Sequence, residues 1–281
     1  MCQFCHTHGE GKKWYLRAKN YSDDLLSDLK RRKFIQDFFR DPDSFEGDLK
    51  QMEKLDGAPP FVKRAISWNV TRKMKKVHFG QVVPIEEIDA IFDFLGSIVR
   101  VACICRRTTL GSEQRYCYGV SLSPDGGALS DIIEEINPTF LAGPDTAGLE
   151  ILSREEAIEA FRSHEREGLC HTVWTFMAPF IGGICNCDRT DCMAMRAQLT
   201  HEIPVMFRGE YVAEIKPDLC NGCRACMRLC QFGAISYSPA RKKSVIDLKR
   251  CYGCGVCREG CIKDAISLKE RKSIPAIAHL W

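Results

Sequence analysis

Two stretches decide the reading of this chain: Cys220-Asn-Gly-Cys223-Arg-Ala-Cys226-Met-Arg-Leu-Cys230 and Cys251-Tyr-Gly-Cys254-Gly-Val-Cys257-Arg-Glu-Gly-Cys261. Both have the spacing Cys-x2-Cys-x2-Cys-x3-Cys. Two intervening residues let a short loop curl so that three thiolates reach three corners of a cube a few ångströms wide. Gly222 and Gly253 ease the turn. Successive backbone N–H groups then point at the anionic sulfurs. The copies repeat beyond their cysteines, since Ala234-Ile235-Ser236 and Ala265-Ile266-Ser267 follow at the same offset. The period of 31 residues marks an internal duplication.

In this spacing the fourth cysteine of each run serves the other cluster. Cys220, Cys223, Cys226 and Cys261 are therefore expected to hold one [4Fe-4S] cluster, and Cys251, Cys254, Cys257 and Cys230 a second. Eight cysteines without a histidine favour iron–sulfur over a pair of zinc knuckles. Over residues 211–270 the sequence resembles the bacterial-type two-[4Fe-4S] ferredoxin family. It departs from that family after the fourth cysteine of each run, where Gln231 and Ile262 replace the usual proline.

The chain has 281 residues, net charge +3 and 17 cysteines. That length allows two domains and a small third. The expected fold class is α+β. A helical, basic N-terminal region is expected at 1–79, a cysteine-rich α/β domain at 80–210, a two-cluster ferredoxin domain at 211–270 and a C-terminal tail at 271–281. The cysteines beyond the two runs fall in tight pairs, which suit metals better than disulfides. No apolar run approaches the roughly eighteen residues of a membrane span. The first residues lack the pattern of a secretory signal. A cytoplasmic protein of an oxygen-poor, anaerobic interior is expected.

In the N-terminal region a helix is expected from Ser22 through Phe39, ending at Asp41-Pro42. The segment Lys63 to Lys76 is basic with one Trp, Trp68. It reads as a solvated helix face, with docking to an acidic redox partner or to nucleic acid as alternatives. Cys2-x2-Cys5-His6-x-His8 formally matches a c-type haem attachment site. That chemistry needs export, so a zinc or iron site from Cys2, Cys5, His6 and His8, or an unliganded tail, is expected instead.

In the middle region Pro84 opens a helix with Ile85, Ile88, Ile91 and Phe92 on one face. Ile98 to Cys105 reads as a buried strand, Cys117 as part of a polar loop, and Leu169 to Phe176 as a strand. Ser153 and Glu156 form a capping box. Gly182 to Cys187 reads as a glycine-rich turn, with Cys192 opening a helix. Cys103, Cys105, Cys117, Cys185, Cys187 and Cys192 are expected to supply the ligands of a third iron–sulfur cluster, with Arg106, Arg107 and Arg189 compensating its charge. A zinc site and plain buried cysteines are the alternatives. Residues 78–270 resemble a group of iron–sulfur proteins from anaerobes, which implies electron transfer. Relatives in that group often have another cysteine where Asp188 stands.

No dinucleotide or phosphate-loop motif is present. The expected function is electron transfer, one electron at a time, between a low-potential donor and a partner enzyme within an oxidoreductase complex. Two other readings differ in kind. One is a reductase using a middle-domain cluster, with His171 and Arg106 at hand. The other is a redox- or metal-sensing nucleic-acid binder, a less favoured partner class.

Overall fold

The structure is a computed structural model and describes residues 13–40, 44–143 and 148–280. Cys2, Cys5, His6 and His8 lie outside the described residues.

A short 3-10 turn at Asp23–Ser27 precedes the first helix, α1 (Leu29–Arg40). The expected single helix from Ser22 is thus two elements. Ser22 does cap, accepting from the Asp24 N–H at 3.2 Å, but only the 3-10 turn. Asp28 restarts the chain, accepting from the Lys30 N–H at 2.8 Å. Helices α2 (Ser44–Asp56) and α3 (Pro60–Val77) follow, the latter opened by a proline in its first turn.

A seven-stranded sheet then spans β1 (Gly80–Val82), β2 (Ser97–Val101), β3 (Cys117–Ser121), β4 (Glu150–Leu152), β5 (Cys170–Thr175), β6 (Ile181–Cys187) and β7 (Met206–Phe207). Its order is β4-β2-β3-β6-β5-β1-β7. Every pairing is antiparallel except β1 with β7. Between the strands run α4 (Ile85–Phe92), α5 (Ile104–Leu110), α6 (Gly127–Glu134), α7 (Arg154–Arg166) and α8 (Met193–Leu199). The capping box of Ser153 and Glu156 at the start of α7 is present.

One face of the sheet presents Ile98, Tyr118, Val120, Val173 and Ile184 to α4 and α7. The other packs under α1 and α6 at one end, and under α2, α3 and α8 at the other. Each strand alternates its side chains between these faces.

Three sequence expectations give way here. The strand read as Ile98 to Cys105 stops at Val101, and Cys105 lies in the first turn of α5. Cys117 starts strand β3 rather than sitting in a loop. Gly182 to Cys187 is not a turn but most of β6. The first gives way because the chain turns into a helix with Cys103 at its N-cap position. The other two share a reason, since neighbouring strands satisfy the backbone of short segments whose glycines and polar neighbours look like loop.

The C-terminal part contains β8 (Tyr211–Ile215), α9 (Ala225–Leu229), β9 (Ile235–Ser238), β10 (Lys243–Ile246) and β11 (Ile266–Glu270). β8 pairs with β11 and β9 with β10, both antiparallel. Residues 271–280 fold back: Ile277 is buried, and the Arg271 guanidinium donates to the carbonyls of Gly209, Tyr211 and Cys251 at 2.8–2.9 Å. Among the described residues no helix is long and apolar enough to cross a membrane.

Candidate iron–sulfur sites

The duplication seen in the sequence recurs in the backbone. Gly222 and Gly253 have φ of 74° and 77°. A Cβ at Gly222 would lie 2.3 Å from the Lys242 carbonyl oxygen, and one at Gly253 2.0 Å from that of Tyr211. Both turns therefore require glycine. The N–H groups of Ala234 and Ala265 donate to Cys230 Sγ and Cys261 Sγ, each at 3.2 Å. The Ala213 N–H points at Cys251 Sγ at 3.4 Å. Donors aimed at sulfur stabilise thiolates and bridging sulfides alike.

The thiols group as two interleaved sets. Cys226 has Cys261, Cys223 and Cys220 as its charged neighbours. A small cavity is ringed by the same four. Cys254 and Cys257 both neighbour Cys251 and Cys230. Burial pushes the Cys254 thiol up to about 12 and holds Cys257 well above the usual range. Cys257 also neighbours Cys226, which joins the two sets. Cys223 is exposed, whereas Cys251 and Cys257 are buried.

The six middle cysteines come together on the sheet face opposite Tyr118 and Ile184. Cys117 and Cys185 are Cα partners across β3 and β6. Cys185 and Cys187, two residues apart on one strand, share that face. Cys103 stands at the N-cap position of α5, Cys105 lies in its first turn, and Cys192 stands at the N-cap position of α8. Their thiols interact as a string, Cys185–Cys117–Cys103–Cys105–Cys192–Cys187. The flanking thiols of Cys105 and Cys117, with Arg106 beyond them, hold Cys103 well below the usual thiol range. Cys105 and Cys117 are correspondingly raised, mainly by their contact with Cys103. Cys192 lowers Cys187 somewhat, but burial and Cys185 push it up to about 12.

Arg106 is buried beside this group. Its guanidinium donates to the Asn186 carbonyl at 3.2 Å, lies 3.9 Å from Cys103 Sγ and stacks 4.0 Å from the Tyr116 ring centre. It pairs with Asp188, whose other oxygen accepts from the N–H groups of Thr190 and Asp191 at 2.7 and 2.6 Å. Asp188 thus anchors the arginine and the loop leading to Cys192. Arg107 instead packs over the Phe140 ring, and Arg189 is an exposed loop residue.

Among the described residues no three His, Cys, Asp or Glu side chains close on one point tightly enough for a single metal ion. That applies to the eight C-terminal cysteines as much as to the middle six. Thiols spread over the corners of a multi-iron cube stand further apart than the tetrahedral ligands of one zinc. In the C-terminal region all-thiol donors and sulfur-directed N–H groups fit iron–sulfur clusters.

The sequence reading missed what joins the two regions. Cys170, on the thiol-bearing face of β5, neighbours both Cys254 and Cys192. Phe232 and Tyr252 stack at 4.0 Å, 6° from parallel, in a core shared with Cys170, Cys187, Cys192 and Met195. Gln231 donates to the Gly168 carbonyl at 2.7 Å and accepts from the Arg189 N–H at 3.0 Å. Arg258 makes a two-pronged pair with Glu86. The only advance signal was Gln231 itself, standing where a proline was expected. His171 is fully buried and bonds Asn186 through Nδ1 at 2.6 Å on the opposite face. The basic side of α3 stays open, with Trp68 60% exposed and Arg72 over its ring.

Residues 208–271 match the 4Fe-4S dicluster domain. This region is a ferredoxin-like 4Fe-4S domain. It is also similar to part of the indolepyruvate oxidoreductase subunit IorA of Pyrococcus abyssi (strain GE5 / Orsay) and of Thermococcus kodakarensis (strain ATCC BAA-918 / JCM 12380 / KOD1). In both the identity is 35% over 54 residues, 19% of this chain and 8% of the relative. The similarity thus covers a small part of those proteins. No solved structure matches the chain significantly.

Proposed function

We propose that this chain is an iron–sulfur electron-transfer protein that leads electrons through two C-terminal [4Fe-4S] clusters to a third cluster on the sheet. The outer cluster is held by Cys220, Cys223, Cys226 and Cys261. The inner one is held by Cys251, Cys254, Cys257 and Cys230. The third takes its ligands from Cys103, Cys105, Cys117, Cys185, Cys187 and Cys192. When bound, the clusters supply one-electron carriers. The residues space them, bury them and aim N–H groups and Arg106 at their negative charge.

The observation that carries this reading is that Cys170 neighbours both Cys254 and Cys192 within one continuous core. An isolated ferredoxin has no need of such a seam. The likeness to an oxidoreductase subunit supports a place in a larger redox complex, with a low-potential donor docking at the exposed Cys223 end. The string of thiols favours a cluster over zinc in the middle region.

The test uses the full chain, because Phe232, Tyr252 and Val256 complete the core around Cys170. Anaerobically purified protein should hold about twelve iron and about twelve sulfide per chain. The double variant Cys105→Ser, Cys187→Ser should hold about eight of each. Equal iron in both proteins, or zinc without sulfide at the middle site, would overturn the third cluster.

A further inference from the structure

The six thiols form one end of a much larger space. A cavity of about 850 Å³ lies between the thiol-bearing sheet face and the helices above it. That is within the roughly 300–1,000 Å³ of small-molecule sites. A cluster is a cube a few ångströms across and fills only the thiol end.

The roof is apolar, with Met52 and Leu55 from α2 and Val62, Ile66, Val70 and Met74 from α3. The far wall is aromatic, formed by Phe38, Phe39, Phe140, Trp174 and Phe176, with His78 stacked 4.9 Å from Trp174. Burial lowers His78 to about 4, so its imidazole is neutral. Among the described residues, charged side chains are absent from the interior apart from Arg106, which is committed to Asp188. The other charged residues on the lining, Asp48, Lys54 and Lys73, are exposed and belong to its mouth.

The floor beside the thiols is bare. Gly119 and Gly183 are Cα partners, one step along β3 and β6 from the Cys117–Cys185 pair and on the same face. Neither has a positive φ. A Cβ at Gly119 would meet nothing closer than 3.9 Å, and one at Gly183 nothing closer than 3.7 Å. The backbone therefore does not need glycine at either position. Gly182 next door is different, since a Cβ there would strike Leu129 at 2.7 Å. Paired glycines weaken a strand and mark a place where another group approaches the backbone.

We infer that this cavity binds an uncharged, planar aromatic small molecule, lying flat on the Gly119–Gly183 floor with one edge against the thiol site. The inference rests on the proposed function for what lies at that edge, but the cavity, its aromatic wall and its floor are independent of it. It makes the third site a terminus that meets a ligand rather than a relay.

The experiment is anaerobic equilibrium dialysis of the full, cluster-loaded chain against 1-naphthol, with 1-naphthalenesulfonate as the charged control. One equivalent of 1-naphthol should bind, and the sulfonate at least tenfold more weakly. The double variant Gly119→Val, Gly183→Val should bind 1-naphthol at least tenfold more weakly with iron and sulfide unchanged. Should that variant lose iron, Val70→Trp fills the same space from the roof and gives the same readout. Equal binding by the wild type and an iron-replete variant, or equal affinity for the sulfonate, would overturn the inference. If the wild type lacks the third cluster yet binds 1-naphthol and loses it in the variant, the cavity stands and the cluster does not.

Discussion

Cys117 and Cys185 face each other across the β3–β6 pairing, although 67 residues separate them in the chain. Their meeting makes the sheet itself, and not a loop, the platform for a thiol site. Strand geometry then explains the Cys185-Asn186-Cys187 spacing, because a period of two returns both thiols to one face while Asn186 turns to the other. Asn186 uses that opposite side to hold His171 and the Tyr116 carbonyl.

The interleaving of the two C-terminal sets is tested by Cys230→Ser. This variant should damage the cluster of Cys251, Cys254 and Cys257 and leave that of Cys220, Cys223 and Cys226 in place. Electron paramagnetic resonance of the reduced protein distinguishes the two. Selective loss of the Cys220 set would contradict the interleaving.

Gln231→Ala removes both hydrogen bonds at the seam between the sheet and the ferredoxin-like region. The expected cost is about 1–2 kcal/mol. Hydrogen exchange should quicken at Arg189, whose amide loses its acceptor, while Ala234 and Ala265 exchange as before. Unchanged protection at Arg189 would show that the side chain contributes nothing to the seam.

Tyr252→Ala should destabilise more, by about 3 kcal/mol, since it empties the stack on Phe232. It also strands Gln198, which donates to the Tyr252 hydroxyl at 2.9 Å. Phenylalanine at the same position should recover most of the loss. Anaerobic thermal unfolding of the three proteins checks the order.

Stability should fall on mild acidification because of His164. Burial, aided by His171, Arg100 and Arg106, lowers its pKa to about 3. Above pH ~6.5 the imidazole is neutral folded or unfolded and adds no pH dependence. Below that, the unfolded chain takes up a proton that the folded one refuses. Stability then drops by up to about 1.4 kcal/mol per pH unit down to pH ~3. Denaturation between pH 7 and 5.5 should show His164→Gln with a shallower slope, His78 supplying what remains.

Much of the C-terminal region was legible because its spacing is local: three ligands of each set lie within seven consecutive residues, and glycine marks each turn. The sheet was less legible. Cys117 and Gly182 to Cys187 look like loop in isolation, because the one sits in a polar stretch, the other carries glycines of weak strand propensity, and their partners are far away in sequence. The two Cys-x-Cys pairs pointed to convergence, but not to its setting, one pair on a strand and the other at a helix start. Cys170 gave no signal at all. A single cysteine in an apolar strand reads as core, and only the packing of Tyr252 and Val256 into the same core shows what it neighbours.

The exposure of Cys223 has a chemical side as well. Among the described cysteines Cys223 is the exposed one, whereas the other thiols of the series are half-buried or buried. On the proposed function, oxidants arriving from solution meet the series at the end where electrons enter. Damage by air would therefore begin at the outermost member and travel inward, stripping the entry point first. On the same reading, a protein spoiled in this way would be disconnected before it is emptied: it would keep its innermost iron but could no longer be charged from outside.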